Sequence, residues 1–215
     1  MEVIPAINCG DEGCVKKHLE MLQDIPAEWV HFDVSDGKFT PAKTWDEPEC
    51  FIADCRLQIA DLNIEVHFMV EKPEEYVERW VGAGAKRVIV HVETIRERSD
   101  LPKEVGPLAG VQFGLALLPE TPVESVYPYL DRVRFVQLLA VSPGFSGQKF
   151  DERILEKIRL LRARDENVII EVDGGVNDVV ARSIFRAGAN IAVSSSFIWN
   201  HPNPREAFFL LNSVS

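Results

Sequence analysis

The sequence predicts a (β/α)8 barrel, a TIM barrel, with residues 1–215 as a single domain. Three observations predict it. Short β-rich runs alternate with helical patterns from end to end. The runs number eight, with no segment left over. Polar residues suited to chemistry stand at the ends of several runs. Strands separated by helices must be parallel, because only a long crossover can join a parallel pair. Eight such units close a barrel. The alternative is an open doubly wound sheet, but the first strand–helix turn, Asn8-Cys9-Gly10-Asp11-Glu12, lacks the glycine spacing of a dinucleotide loop.

Residues 3–7 are the first run. Val15, Leu19 and Leu22 then recur at helical spacing, with Asp11 placed as N-cap. Residues 29–34 are the second run, closed by Asp36-Gly37, and 48–57 read as a short helix. Residues 64–70 are the third run. The helix at 73–82 has Pro73 in its first turn and stops at Gly82-Ala83-Gly84. The fourth run is 87–92, followed by a weak helix at 101–106, and the fifth is 112–117. A helix over 121–129 leads to the sixth run, 134–141. The helix at 152–164 carries Ile154, Leu155, Ile158 and Leu161 on one stripe. Residues 168–172 are the seventh run. Asn177 caps a helix that Gly188 stops; 191–194 are the eighth run, and a helix at 204–211 closes the chain.

A chain of 215 residues buries roughly 70% of its unfolded surface, so neither disulfides nor a structural metal are required. With 23 basic and 34 acidic side chains, the net charge is −11. That argues against a nucleic-acid binder, which needs a basic face, and against adsorption to anionic membranes. A phosphate remains compatible, because a few backbone N–H groups can hold one inside an acidic protein. No apolar run approaches the ~20 residues that span a bilayer, and the start lacks the basic-then-apolar pattern of a signal peptide. A cytoplasmic protein is expected. Cys9, Cys14, Cys50 and Cys55 are expected to be reduced, packed thiols, since C-x4-C is not the tight spacing of a zinc knuckle.

Barrel chemistry sits at the C-terminal ends of the strands. His31 and Asp33, two apart on the second run, point the same way, while Val30, Phe32 and Val34 point the other. His67 lies near the end of the third run and Asp173 at the end of the seventh. A lone His or Asp at a strand end is usually just hydrogen-bonded. Four on one rim, in inward-capable registers, make a site for one divalent ion, Zn, Fe, Mn or Co. Glycine clusters share that rim: Gly144, Phe145, Ser146 and Gly147 after the sixth run, Gly174-Gly175 after the seventh, then Ser194-Ser195-Ser196 after the eighth. Such loops expose N–H groups and let a phosphate approach closely. His91 reads as a packed or capping residue. Lys38, Lys43 and Lys149 read as solvated, and Trp29, Trp45, Trp80 and Trp199 as packing.

These segments resemble a known family. His31-Phe32-Asp33-Val34-Ser35-Asp36-Gly37-Lys38-Phe39-Thr40-Pro41 is similar to the H-x-D-x-M-D-G-x-F-x-P motif of ribulose-phosphate 3-epimerases. His67-Phe68-Met69-Val70, the Pro143-Gly144-Phe145-Ser146-Gly147-Gln148 loop and Glu171-Val172-Asp173-Gly174-Gly175-Val176 match further motifs, in order along nearly the whole chain. The resemblance implies a metal-dependent barrel that interconverts D-ribulose 5-phosphate and D-xylulose 5-phosphate. It implies His31, Asp33, His67 and Asp173 as metal ligands, with Asp33 and Asp173 also as the acid/base pair. It implies substrate and phosphate contacts at His67, Gly144, Phe145, Ser146, Gly147, Gly174, Gly175, Ser195 and Ser196. The family is usually homo-oligomeric.

Departures lie in the substrate shell. The family's P-S-I-L start reads Pro5-Ala6-Ile7-Asn8, the motif methionine is Ser35, another is Leu139, and two loop glycines are Ser146 and Ser195. Rival readings are therefore an epimerase for a six-carbon ketose phosphate, another proton-transfer or lyase reaction, or a barrel that binds a sugar phosphate without turning it over.

Overall fold

The computed structural model describes residues 1–49, 61–96 and 110–213. Eight parallel strands close in sequence order into a barrel. They are β1 (Glu2–Ile7), β2 (Trp29–Ser35), β3 (Asn63–Met69), β4 (Ala85–His91), β5 (Gln112–Leu117), β6 (Phe135–Leu139), β7 (Ile169–Asp173) and β8 (Ile191–Ser194). The ring closes where Glu2 pairs with Ile191 and Val3 with Ala192. The helices are α1 (Glu12–Leu22), α2 (Glu74–Gly82), α3 (Ile154–Arg164), α4 (Asp178–Ala187), the short α5 (Ser196–Trp199) and α6 (Pro204–Asn212). Most of the helices expected at 48–57 and 101–106 falls outside the described residues. None of the described helices is long and apolar enough to cross a membrane.

Local chemistry sets the boundaries. The Asp11 carboxylate accepts from the Cys14 N–H to start α1, and Asn177 accepts from Val179 and Val180 to start α4. Gly188, with φ at 112°, turns the chain out of α4 as a left-handed C-cap does. The helix expected over 121–129 is a 3-10 helix, Val123–Tyr129. Pro128 inside it has no N–H to give and crowds the preceding turn. β6 is also shorter than expected and ends at Leu139, although the Ala140 N–H still donates to the Asp173 carbonyl.

Alternation along the strands splits the core in two. Outward side chains such as Val30, Phe32, Val66 and Leu138 pack with α1 to α4 in one large cluster, while Ile4, Ala6, Ile89, Ala116, Phe135, Ile191 and Val193 fill the barrel interior. Phe135 takes the space opposite Gly114, where a Cβ would lie 2.7 Å from its ring. Lower in the barrel, the Arg87 guanidinium lies 4.0 Å from the Trp29 ring centroid and 4.2 Å from that of Phe135, and ion-pairs with buried Glu65. A charged floor therefore underlies the apolar middle.

Candidate active site

Asp33 and His67 are register partners on β2 and β3, and the site is built outward from that pair. His67 Nδ1 lies 3.1 Å from Asp33 Oδ1 and 3.8 Å from Asp173 Oδ2. His31 Nε2 is 3.2 Å from the same Asp33 oxygen. All four side chains are buried, with Asp173 the most open at 9%, and their ligand-type atoms lie within 4.8 Å of one another. Two imidazoles and two carboxylates at this spacing could hold a metal ion. The donor set suits a divalent transition metal.

Deeper groups orient these side chains. His31 Nδ1 meets Glu65 Oε1 at 2.7 Å, and Glu65 is held in turn by Arg87. His67 Nε2 meets His91 Nε2 at 2.9 Å; His91 Nδ1 reaches Glu93 Oε2 at 3.1 Å. Glu93 accepts from the Leu118 N–H and the Thr121 hydroxyl. Such partners of a ligating imidazole fix its ring and tautomer. His91, expected as a packed or capping residue, instead stands directly behind His67. The signal was its parity with Arg87 and Ile89 on the inward face of β4.

The electrostatics separate the two carboxylates. Burial favours the neutral form of Asp33, but bonds from His31 and His67 prevail and hold it well below the usual carboxylate range. Burial and the nearby Asp33 charge push Asp173 up to about 7. Burial also drives His67 down to about 4, against the pull of Asp33. Burial works against charge on His31 too, yet its bonds to Asp33 and Glu65 keep its pKa raised. One carboxyl group held ionised beside another pushed up to about 7 is the pairing of a base with an acid.

A pocket opens above the cluster. Asp33, Asp173, Gly144, Phe145, Ser146, Gly147, Gly174, Gly175, Ser195 and Ser196 all line it, joined by Asn8. His31 and His67 lie beneath, fully buried. The Asn8 amide donates to Asp33 Oδ2 at 3.1 Å. Gln148 ties the glycine loop down by donating to the Ser142 and Phe145 carbonyls at 2.6 and 2.7 Å. At Gly175, φ is +68° and an added Cβ would sit 2.5 Å from the Phe150 nitrogen. That contact is backbone and cannot swing aside. Gly175→Ala should therefore destabilise the fold by about 2–4 kcal/mol, from left-handed strain plus overpacking, as measured by urea unfolding. An unchanged midpoint and slope would show that the turn can relax.

One cysteine expectation is overturned. Cys9 and Cys14 are joined by a disulfide, with Cα atoms 5.7 Å apart. Asp11 caps α1 and folds the turn back, so the two residues meet despite the loose spacing. Cys50 and Cys55 lie outside the described residues.

The model of the ribulose-phosphate 3 epimerase family matches residues 2–199. The chain is 35% identical to the ribulose-phosphate 3-epimerase of Chlamydia muridarum, over 97% of this chain and 93% of that one. It is 34% identical to the enzyme of that name from Bacillus subtilis, over 96% of each. Among solved structures, 3-hexulose-6-phosphate synthase from Salmonella typhimurium has a TM-score of 0.70 at 14% identity, covering 100% of this chain and 98% of that one. Orotidine 5'-phosphate decarboxylase from Pyrococcus horikoshii has 0.62 at 17%, covering 99% and 98%. Those two likenesses show the barrel alone, whereas the family model and the closer relatives establish that this chain belongs to the ribulose-phosphate 3-epimerase family.

Proposed function

We propose that this chain interconverts D-ribulose 5-phosphate and D-xylulose 5-phosphate by moving a proton at C3. The observation that carries the reading is the placement of Asp33 and Asp173, from separate strands, in one pocket rimmed by glycine loops. The relatives named above are ribulose-phosphate 3-epimerases, which supports the same reaction here.

Inverting C3 next to a C2 ketone requires removal of a carbon-bound proton and its return to the other face. A single base tends to hand the proton back where it came from; two carboxyl groups avoid that. Asp33 takes the proton from one epimer and Asp173 delivers one to the opposite face, with the roles exchanged in reverse. Asn8 keeps Asp33 aimed by holding its second oxygen. The backbone N–H groups of Gly144–Gly147 and Gly174-Gly175, with Ser195 and Ser196, bind the phosphate and so orient C3, far from that anchor. His31, Asp33, His67 and Asp173 would hold one divalent ion, Zn, Fe, Mn or Co. Such an ion acts as a Lewis acid on the carbonyl oxygen and stabilises the charge that develops there.

Ser35 follows Asp33 on the same face of β2, is 2% exposed, and its hydroxyl has no hydrogen-bond partner among the described residues. With Ala6 lacking a hydroxyl, the sugar contacts differ from the family pattern, so the test needs a substrate panel. Solvent deuterium should enter C3 of ribulose 5-phosphate, with xylulose 5-phosphate forming. Dephosphorylated ribulose should react far more slowly. Faster turnover of a six-carbon ketose 6-phosphate would reassign the substrate, and no exchange into any ketose phosphate would make the barrel a binding protein.

A further inference from the structure

We propose that Cys9 and Cys14 form a reversible dithiol–disulfide site whose state is read by the pocket through Asn8, and that its exchange partner is a low-molecular-weight thiol–disulfide couple. The pair lies just outside the pocket, in the turn between β1 and α1. Cys9 is buried at 4% exposure, while Cys14 is half-buried and open to attack. Cys14 sits in the first turn of α1, its own N–H held by the Asp11 carboxylate, and the N-terminal end of a helix favours a thiolate. His18, one turn on, places Nδ1 3.3 Å from Cys9 Sγ and 3.9 Å from Cys14 Sγ. Its ring stacks on Trp199 with centroids 4.7 Å apart. Burial lowers its pKa, so a neutral imidazole stands ready to accept a thiol proton.

The exchange balances as follows. The Cys14 thiolate attacks a disulfide R–S–S–R, forms the mixed disulfide and expels R–S⁻. His18 takes the Cys9 proton; Cys9 then attacks the Cys14 sulfur and expels the second R–S⁻. The two protons released end on the two R–SH products. Two protein thiols have been oxidised and one small disulfide reduced; excess thiol reverses both steps.

The coupling to the pocket is short. Asn8, which donates to Asp33, directly precedes Cys9, and the Cys9 carbonyl accepts from the Trp45 N–H at 2.7 Å. The disulfide closes a turn that contains Gly10 and Gly13, the residues with most backbone freedom. Oxidised, the turn is fixed and Asn8 is held on Asp33. Reduced, the turn is released and that hydrogen bond weakens. The Trp199 indole also donates to the Ala6 carbonyl at 2.6 Å, so His18 braces the end of β1 from the other side.

The test uses the full chain loaded with zinc, which has no redox chemistry of its own. The protein is equilibrated across ratios of reduced to oxidised glutathione, quenched in acid, alkylated and mapped by mass spectrometry. In parallel, kcat/KM for ribulose 5-phosphate and zinc affinity against a chelating dye are measured. Cys9 and Cys14 should pass together through one two-electron transition. Reduction should lower kcat/KM about two- to tenfold, the worth of one hydrogen bond, and reoxidation should restore it. Cys14→Ser should stay at the reduced value at every ratio. Asn8→Ala should keep the thiol transition but lose the activity response. The proposal is overturned if the pair stays bonded or stays free throughout, or if both forms have equal kcat/KM and zinc affinity. It is also overturned if Asn8→Ala still responds, or if reduced Cys9 and Cys14 with His18 bind zinc and block reoxidation. The thiol map and zinc affinity do not need turnover, so a chain inactive on ribulose 5-phosphate would refute the functional reading separately.

Discussion

Asp33→Asn and Asp173→Asn should each lower epimerisation of ribulose 5-phosphate by about 10²- to 10⁴-fold, the range for loss of a positioned acid or base. The two variants should differ in what survives. Each keeps one carboxyl group, which can still remove a proton from the epimer that presents its C3 hydrogen on that side and exchange it with solvent. Inversion stops because nothing delivers a proton to the other face. Both residues also stand in the proposed metal cluster, and Asn is a poorer ligand, so metal content must be measured on the same samples. The readout is C3 deuterium incorporation by NMR, starting from each epimer with metal-replete protein. Exchange confined to one epimer in one variant, and to the other epimer in the second, assigns each carboxylate to a face. Near wild-type inversion in either variant would refute the two-base assignment.

Stripping the metal should have an effect as large, and on stability as well as on rate. A ligand that binds only the folded state stabilises it by about 4 kcal/mol at a thousand times its dissociation constant. Chelation should therefore abolish turnover and lower the melting temperature together, and re-addition of Zn, Fe, Mn or Co should restore both. Without an ion, Asp33 and Asp173 flank His67 Nδ1, and burial and the Asp33 charge favour the protonated form of Asp173, so stripping the ion should also bring uptake of a proton. A chain that keeps full activity and an unchanged melting temperature at sub-stoichiometric metal would remove the ion from the mechanism. The order in which the four metals restore rate would identify the preferred one.

The barrel and the main cluster were legible because both depend on simple periodicities. Alternation on β2 put His31 and Asp33 on one face, and a strand-end position marked His67 and Asp173. Glycines at Gly174-Gly175 announced a turn that only glycine adopts, with φ of 103° and 68°. The polar groups behind the cluster were harder to read. Glu65 and Arg87 look like ordinary surface charges until β3 and β4 pair in the register that sets Glu65 beside Arg87. Glu171 is buried, with neither carboxylate oxygen hydrogen-bonded among the described residues; burial and the nearby Glu65 charge raise its pKa well above the usual value, an environment no linear pattern displays. Pairing of Cys9 with Cys14 depended on a cap folding a short turn back on itself. Each miss belongs to contacts made across strands or around a turn, where spacing along the chain carries little information.

Ring closure has a bearing on how the protein is made. Asp33 is carried by β2 and Asp173 by β7, and the shortest path between them in the barrel runs through β1 and β8. Those two strands come from opposite ends of the chain, and pairings of such long sequence separation form slowly. A nascent or half-folded barrel can hold Asp33, His31 and His67 on β2 and β3, but it lacks Asp173, the proposed fourth ligand and second acid/base group, until the last seam is zipped. On the proposed two-carboxyl mechanism, topology alone would withhold proton transfer from incomplete chains.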